Sequence, residues 1–202
     1  SLAAEAAAFL AGMGVVARRL GPALVPALPE VMRPAAFARM IAVNGHIMGR
    51  SLVLMAAFTT FTAIGARGGD AILAANAILM NFILVAAFFL DGLAAAAEQL
   101  AGRAVGARYR PAFDRAVRLT VYWGFAVAAG LSAVYFLAGG AAIDLMTTAE
   151  DVRAVARTFL PWAALCPILG VLAFQMDGVY IGATWTRTML TMMVASFVAF
   201  AA

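Results

Sequence analysis

The sequence predicts an all-α protein, a polytopic membrane helix bundle, and three observations lead there. Of its 202 residues, 65% are hydrophobic and only 12% are charged, with a mean hydropathy of +0.97. A globular domain carries about 25% charged residues. One of this size leaves roughly a third of its unfolded-chain surface in water, so a soluble core cannot hide this much apolar side chain. The second observation is length: a transmembrane helix needs about 20 mostly apolar residues, and the chain divides into six such runs, two of them incomplete. The third is period, since no run alternates as a membrane barrel strand does.

The first run, residues 1–17, closes at Arg18-Arg19 and reads as the end of a helix. Residues 18–34, with Pro22, Pro26 and Pro29, read as a linker. The remaining runs cover approximately 35–66, 71–101, 119–143, 158–183 and 188–202. The chain starts Ser1-Leu2 and ends apolar at Ala202, so it is expected to be a fragment cut inside two helices. No signal peptide is recognised, because Glu5 stands where a positive n-region belongs.

Orientation follows from arginine, because basic loops stay cytoplasmic. All 14 basic residues are Arg, against 10 acidic ones. Arg18, Arg19, Arg33 and Arg39 mark the linker as inside, and Arg103, Arg108, Arg110, Arg115 and Arg118 mark the next basic loop likewise. The turn at Arg67 to Asp70 is nearly neutral, and the stretch from Asp144 to Arg157 with Glu150 and Asp151 is net acidic, so both read as outside. Arg187 returns to the inner side. The net charge of +4 therefore points to the membrane rather than to nucleic acid. At the acidic loop, Thr148 is the expected N-cap of a lateral turn with Glu150 and Asp151 on the positive end of the dipole. Pro161 suits an early turn, and Pro167 is expected to kink the helix.

Ionisable groups inside apolar runs cost about 2.5–3.5 kcal/mol each on insertion scales, so by default they face a protein interior or an aqueous cavity. Asp91 follows twenty uncharged residues, and Glu98, seven further on, is nearly eclipsed with it at 100° per residue. Asn76 lies within about 60° of both, which makes one polar stripe. Glu98 is either part of that stripe or an inner-interface residue paired with an Arg such as Arg103. Asp177 is the only charge between Arg157 and Arg187, with Gln175, Tyr180 and Thr184 nearby and the last two on its face. It is either a structural hydrogen-bonding group or a carboxylate that exchanges a proton or cation. Both aspartates sit in a Phe-x-Leu/Met-Asp-Gly pattern, and a glycine there lets a neighbouring backbone approach. Arg39, His46 and Arg50 share a stripe, and Arg50 either snorkels or pairs with an intramembrane carboxylate. The lone His46 gives little support to a His-based metal site or a Ser-His-Asp triad and leaves a proton relay open, and the lone Cys166 excludes an internal disulfide framework, a Cys-based zinc site or an iron-sulfur cluster. Met189, Met192 and Met193 read as packing or lipid-facing residues.

Several blocks, in order, carry a family resemblance: Phe61 to Arg67, Ile72 to Ala77, Phe89-Leu90-Asp91-Gly92 with Ala97-Glu98 and Gly106-Ala107-Arg108, and Met176 to Thr184. Over roughly residues 35–190 the chain resembles the C-terminal lobe of the DinF-like branch of the MATE (multidrug and toxic compound extrusion) transporters. The resemblance implies one six-helix lobe of a two-lobe, twelve-helix protein joined by a cytoplasmic linker, exporting cationic or amphipathic compounds against a proton or sodium gradient. Residues 1–17 are then similar to the end of the sixth helix, and the chain stops in the eleventh. Asp177 resembles the C-lobe acidic position implicated in cation coupling in the NorM-like branch. That branch's acidic residue on the seventh helix has no match, because this helix offers Arg50. The N-lobe aspartate on which DinF-like coupling depends would lie upstream of Ser1.

On this reading the protein is not an enzyme, needs no cofactor beyond a coupling ion (H+ or Na+), and works in the bacterial inner membrane. Its partners are the bilayer, a small-molecule export substrate and an N-terminal lobe of the same chain. Asp177, Asp91, Glu98, Arg50, Asn76 and Tyr180 are the candidate transport and coupling residues. Two other functions compete. An intramembrane aspartyl hydrolase would need Asp91 and Asp177 to share a proton, and a structural membrane subunit would leave both without a task.

Overall fold

The computed structural model describes residues 2–20 and 33–201. Among the described residues there is helix and turn but no strand: α1 (Leu2–Leu20), α2 (Pro34–Ala66), α3 (Asp70–Gly106), α4 (Arg110–Met146), α5 (Glu150–Gly182) and α6 (Thr186–Ala201). Helices α2 to α5 are each long and apolar enough to cross a membrane, and α6 is a shorter apolar helix. Arg18 and Arg19 end α1, Pro34 starts α2, and most of the expected linker lies outside the described residues. The chain forms two compact units, Ser1–Asn44 and Gly45–Ala202. The first holds α1 and the opening turns of α2, and its described side chains are nearly all exposed. The second holds the rest of α2 and all of α3 to α6.

The helices are longer than the apolar runs that foretell them. The basic stretch from Arg103 to Arg118 is not a loop: α3 continues to Gly106, α4 begins at Arg110, and three residues turn between them. The 37 residues of α4 extend about 55 Å at 1.5 Å each, against a hydrocarbon core of about 30 Å. Charge marks where lipid stops, but a helix keeps its backbone bonds satisfied through the headgroups and into water. At the acidic end the apolar run begins near residue 158, and the lateral turn expected to open the fifth helix is present, with α5 starting at Glu150. Thr148 is not its N-cap. Ala149 occupies that position without a side-chain cap, and its N–H donates to the hydroxyl of Thr147 at 3.3 Å. Glu150 and Asp151 do fill the first turn. Arg153 closes α4 by donating to the carbonyls of Thr147 (2.8 Å) and Asp144 (3.0 Å), a cation on a helix C-terminus.

Helices α3, α4 and α5 pack on one another through stripes of small residues. On α4 the buried positions run from Ala116 through Gly124, Ala128 and Ser132 to Gly139 and Ile143 in steps of three or four. Such stripes let helix axes approach in lipid, where no hydrophobic effect separates the inside from the outside. The outer faces stay apolar, with Leu137 and Leu145 88% and 90% exposed. One polar bond crosses the interior: the Tyr135 hydroxyl donates to the Phe82 carbonyl at 2.7 Å, and the two rings meet edge to face at 5.1 Å. Gln175 is fully buried beside Gly124, and its amide atoms have no partner among the described residues.

The tightest approach joins α3 to α5. A Cβ built on Gly178 would fall on the carbonyl oxygen of Ala94, and one on Gly182 would fall on that of Glu98. Gly102 faces the Gly182 carbonyl in turn, at 3.1 Å from its own would-be Cβ. Glycine after Asp177 thus admits a neighbouring backbone, as its sequence pattern suggests. Gly92, after Asp91, has nothing within 4 Å, so the shared pattern does not carry a shared environment. At the α2–α3 turn, Gly69 adopts φ +94°, a conformation open to glycine and strained for other residues. We expect Gly178→Ala to destabilise the full-length protein by about 1–3 kcal/mol, the usual cost of overpacking, and Gly92→Ala to leave it unchanged. Thermal unfolding in detergent checks this, and equal melting temperatures for the two variants would contradict the close approach.

Candidate functional site

Arg50 and His46 stand one turn apart on α2, a helix with no fully buried residue. The Arg50 guanidinium reaches α5, where Nη2 lies 2.5 Å from Oδ2 of Asp177, with the two side chains 21% and 23% exposed. Of the two outcomes open to Arg50, pairing with an intramembrane carboxylate is the one observed. Its Nε is buried without a partner among the described residues. His46 shares a hydrogen bond with the hydroxyl of Thr186 on α6 at 3.1 Å, and a Cβ on Gly49 would touch Leu190 at 3.3 Å. Since α2 makes only sparse backbone approaches to the other helices, these polar contacts are much of what holds it.

Asp91 and Glu98 come from α3, the helix drawn against α5 by Gly178 and Gly182. Both stand on the helix that packs on α5, but the Arg50 guanidinium pairs with Asp177. Asp91 is exposed and Glu98 half-buried, and neither has an ion-pair partner within 4.0 Å among the described residues. The pairing of Glu98 with Arg103 is thus not formed. Arg50 is engaged by Asp177 because the α3–α5 contact sets that aspartate toward α2. The same pair bears on the aspartate dyad, since Asp177 faces a guanidinium rather than a second carboxyl group. Among the described residues no group of three His, Cys, Asp or Glu side chains converges on a metal position.

Asn76 does not join this cluster. Its angular position on α3 is as the stripe requires, but fifteen residues separate it from Asp91, about 22 Å along the axis. It packs against Gly65 of α2 and lines a separate cavity of about 450 Å³ with Phe61, Met80, Phe159, Trp162 and Cys166. Tyr180 is half-buried one turn beyond Asp177, with its ring centroid 6.4 Å from that of Trp185. Thr184 leaves the helical face altogether, exposed in the α5–α6 turn at φ +60°. The residues that sequence reasoning passed over are the aromatic walls of the cavity and the His46–Thr186 contact. Pairs from different helices leave no periodic signal in a single chain.

Comparison with known proteins sets this geometry in context. Residues 47–201 match the family model described as MatE. The chain is 38% identical over 165 residues to DNA damage-inducible protein F of Escherichia coli (strain K12), covering 82% of this chain and 36% of that protein. It is 30% identical over 141 residues to Protein DETOXIFICATION 44, chloroplastic, of Arabidopsis thaliana, covering 69% of this chain and 27% of that one. The chain thus spans about a third of the length of these curated relatives. No solved structure shows a significant match. The match over three quarters of the sequence, on a bundle of lipid-length helices, makes this chain an integral membrane protein of the MatE family.

Proposed function

We propose that the chain is the C-terminal lobe of a secondary active efflux transporter that exchanges cationic or amphipathic compounds for H+ or Na+ across a bacterial inner membrane. The observation that carries this is the Arg50–Asp177 pair between helices of membrane-spanning length. A partly buried carboxylate needs a compensating charge, and here a side chain of another helix supplies it. A proton or cation taken up by Asp177 competes with Arg50 and removes the partner that ties α2 to α5. A ligand shifts a two-state equilibrium only through its different affinity for the two states, and an exchangeable partner at Asp177 provides that difference. The 450 Å³ cavity, walled by Phe61, Phe159 and Trp162 with the single amide of Asn76, suits an amphipathic guest: its aromatic faces attract cations while its walls accept apolar surface.

Residues 18–34 serve in this reading as the cytoplasmic linker to an N-terminal lobe of the same chain, and residues 35–202 as the C-lobe. The Arg-rich end of the bundle then faces the cytoplasm. Cysteines at Ala107 and Ala149, in a Cys166→Ala background, stand in exposed turns at opposite ends of α4. They are expected to react with an impermeant thiol reagent from opposite sides of the membrane. Labelling from one side would overturn the arrangement.

The coupling role is tested in the full-length protein in proteoliposomes under an imposed proton or sodium gradient. Asp177→Asn retains size and hydrogen bonding but removes the titratable charge, so gradient-driven drug efflux per reconstituted protein is expected to fall about tenfold or more, the effect of losing roughly 1.4 kcal/mol of differential affinity. Asp91→Asn is expected to give a milder defect, since Asp91 is exposed and makes no ion pair within 4.0 Å among the described residues. Wild-type efflux by Asp177→Asn, with unchanged dependence on the gradient, would leave that aspartate a structural group.

A further inference from the structure

Two turns of one geometry lie side by side where α3 meets α4 and α5 meets α6. In the first, Arg108 takes φ +52° and the N–H of Tyr109 donates to the Ala104 carbonyl at 3.0 Å. In the second, Thr184 takes φ +60° and the N–H of Trp185 donates to the Tyr180 carbonyl at 2.8 Å. Each is a left-handed helix stop closed by a bond that reaches back five residues, and each delivers an aromatic ring at the same place. Phe113, from the first turns of α4, packs on Trp185 with ring centroids 5.8 Å apart. Between these elements is a cavity of about 370 Å³, lined by Arg108, Tyr109, Arg110, Phe113, Asp114 and Trp185.

Charge at the two ends of the bundle is handled differently. At the α4–α5 turn the arginines are matched: Arg157 lies 2.6 Å from Asp144, and Arg153 lies 3.6 Å from Asp144 and 3.4 Å from Glu150. At the other end Arg103, Arg108, Arg115, Arg118 and Arg187 have no carboxylate within 4.0 Å among the described residues. Arg110 has only Asp114, at 3.8 Å, on a side chain that is 91% exposed, a spacing and exposure worth little. Asp114 is the one acidic group in the cavity wall. The amides that open α4 add to the positive field, since its N-cap Tyr109 makes no side-chain cap bond.

We propose that this cavity is a binding site for an anionic phospholipid, with the headgroup phosphate between Arg108 and Arg110 and an acyl chain passing Phe113 and Trp185. Three observations favour a lipid over a free anion. The walls beside the arginines are aromatic and apolar. Tyr109 and Trp185 are the residue types that settle at the headgroup level. The cavity lies at the Arg-rich helix ends, between the α3–α4 and α5–α6 turns, and basic pockets between helix ends take lipid headgroups.

The test uses the full-length protein with Trp123→Phe and Trp162→Phe, which leaves Trp185 as the reporter among the residues of this chain, in micelles titrated with lipid brominated on its acyl chains. Phosphatidylglycerol is expected to quench Trp185 with saturation at a low mole fraction, and phosphatidylcholine to quench only in proportion to its amount. Arg108→Asn with Arg110→Gln, the first chosen because asparagine accepts the left-handed turn, is expected to raise the half-quenching mole fraction about thirtyfold, in line with about 1 kcal/mol for each of the two basic residues near an anionic surface. Arg115→Gln with Arg118→Gln removes the same charge outside the cavity and is expected to change it little. Equal shifts for the two double variants would reduce the site to diffuse attraction and overturn the proposal. Equal quenching by the two lipids would overturn it as well, and so would release of the brominated lipid by excess inorganic phosphate, which would mark a free-anion site.

Discussion

The contact of α3 with α5 is the constraint on which the rest of this lobe is hung. Gly178 and Gly182 let the α5 backbone lie on the carbonyls of Ala94 and Glu98, an approach in which Cα–H groups meet carbonyl oxygens at close range. No other residue type allows that distance. Once it is set, the height and heading of Asp177 follow, because it precedes Gly178 in the chain and cannot turn toward α3 without displacing it. Helix α4 fits its small-residue stripe into the remaining groove.

Helix α2 stands in contrast. It contributes no fully buried side chain, and among the described residues its links to the bundle are an ion pair, one hydrogen bond to Thr186 and close approaches at Gly49, near its middle, and Gly65, near its end. Polar links of this kind are specific but few, and each depends on the charge or protonation of one group. An apolar interface would resist such changes. In the proposed transport cycle the cation at Asp177 is thus a tethered one, unable to diffuse away when displaced, and the arriving ion needs only to compete with it.

What the sequence discloses and what it withholds divide along physical lines. Apolar runs bounded by charge located every helix among the described residues, because the lipid thickness sets the length of a hydrophobic span. They misplaced the ends, as with Arg103 to Arg118, because a backbone helix has no reason to stop at the headgroups. The angular stripe of Asn76, Asp91 and Glu98 is right in azimuth and misleading as a site, since rotation about an axis says nothing about distance along it. The twin Asp-Gly patterns look alike and differ in surroundings, and only the partner helix decides which glycine is in contact. Arg50 could be narrowed to two fates, and choosing between them required knowing which helix faced it.

The α2–α3 turn, where Gly69 holds φ +94°, has a mechanical meaning. Arg50 lies sixteen residues before the helix end at Ala66, an arm of about 24 Å at 1.5 Å per residue. A tilt of about 10° at that turn carries the guanidinium through about 4 Å, roughly the reach of the ion pair itself. A small angular change at one face of the membrane is thereby magnified into the making or parting of a charge contact deep within it, with no helix having to bend or slide.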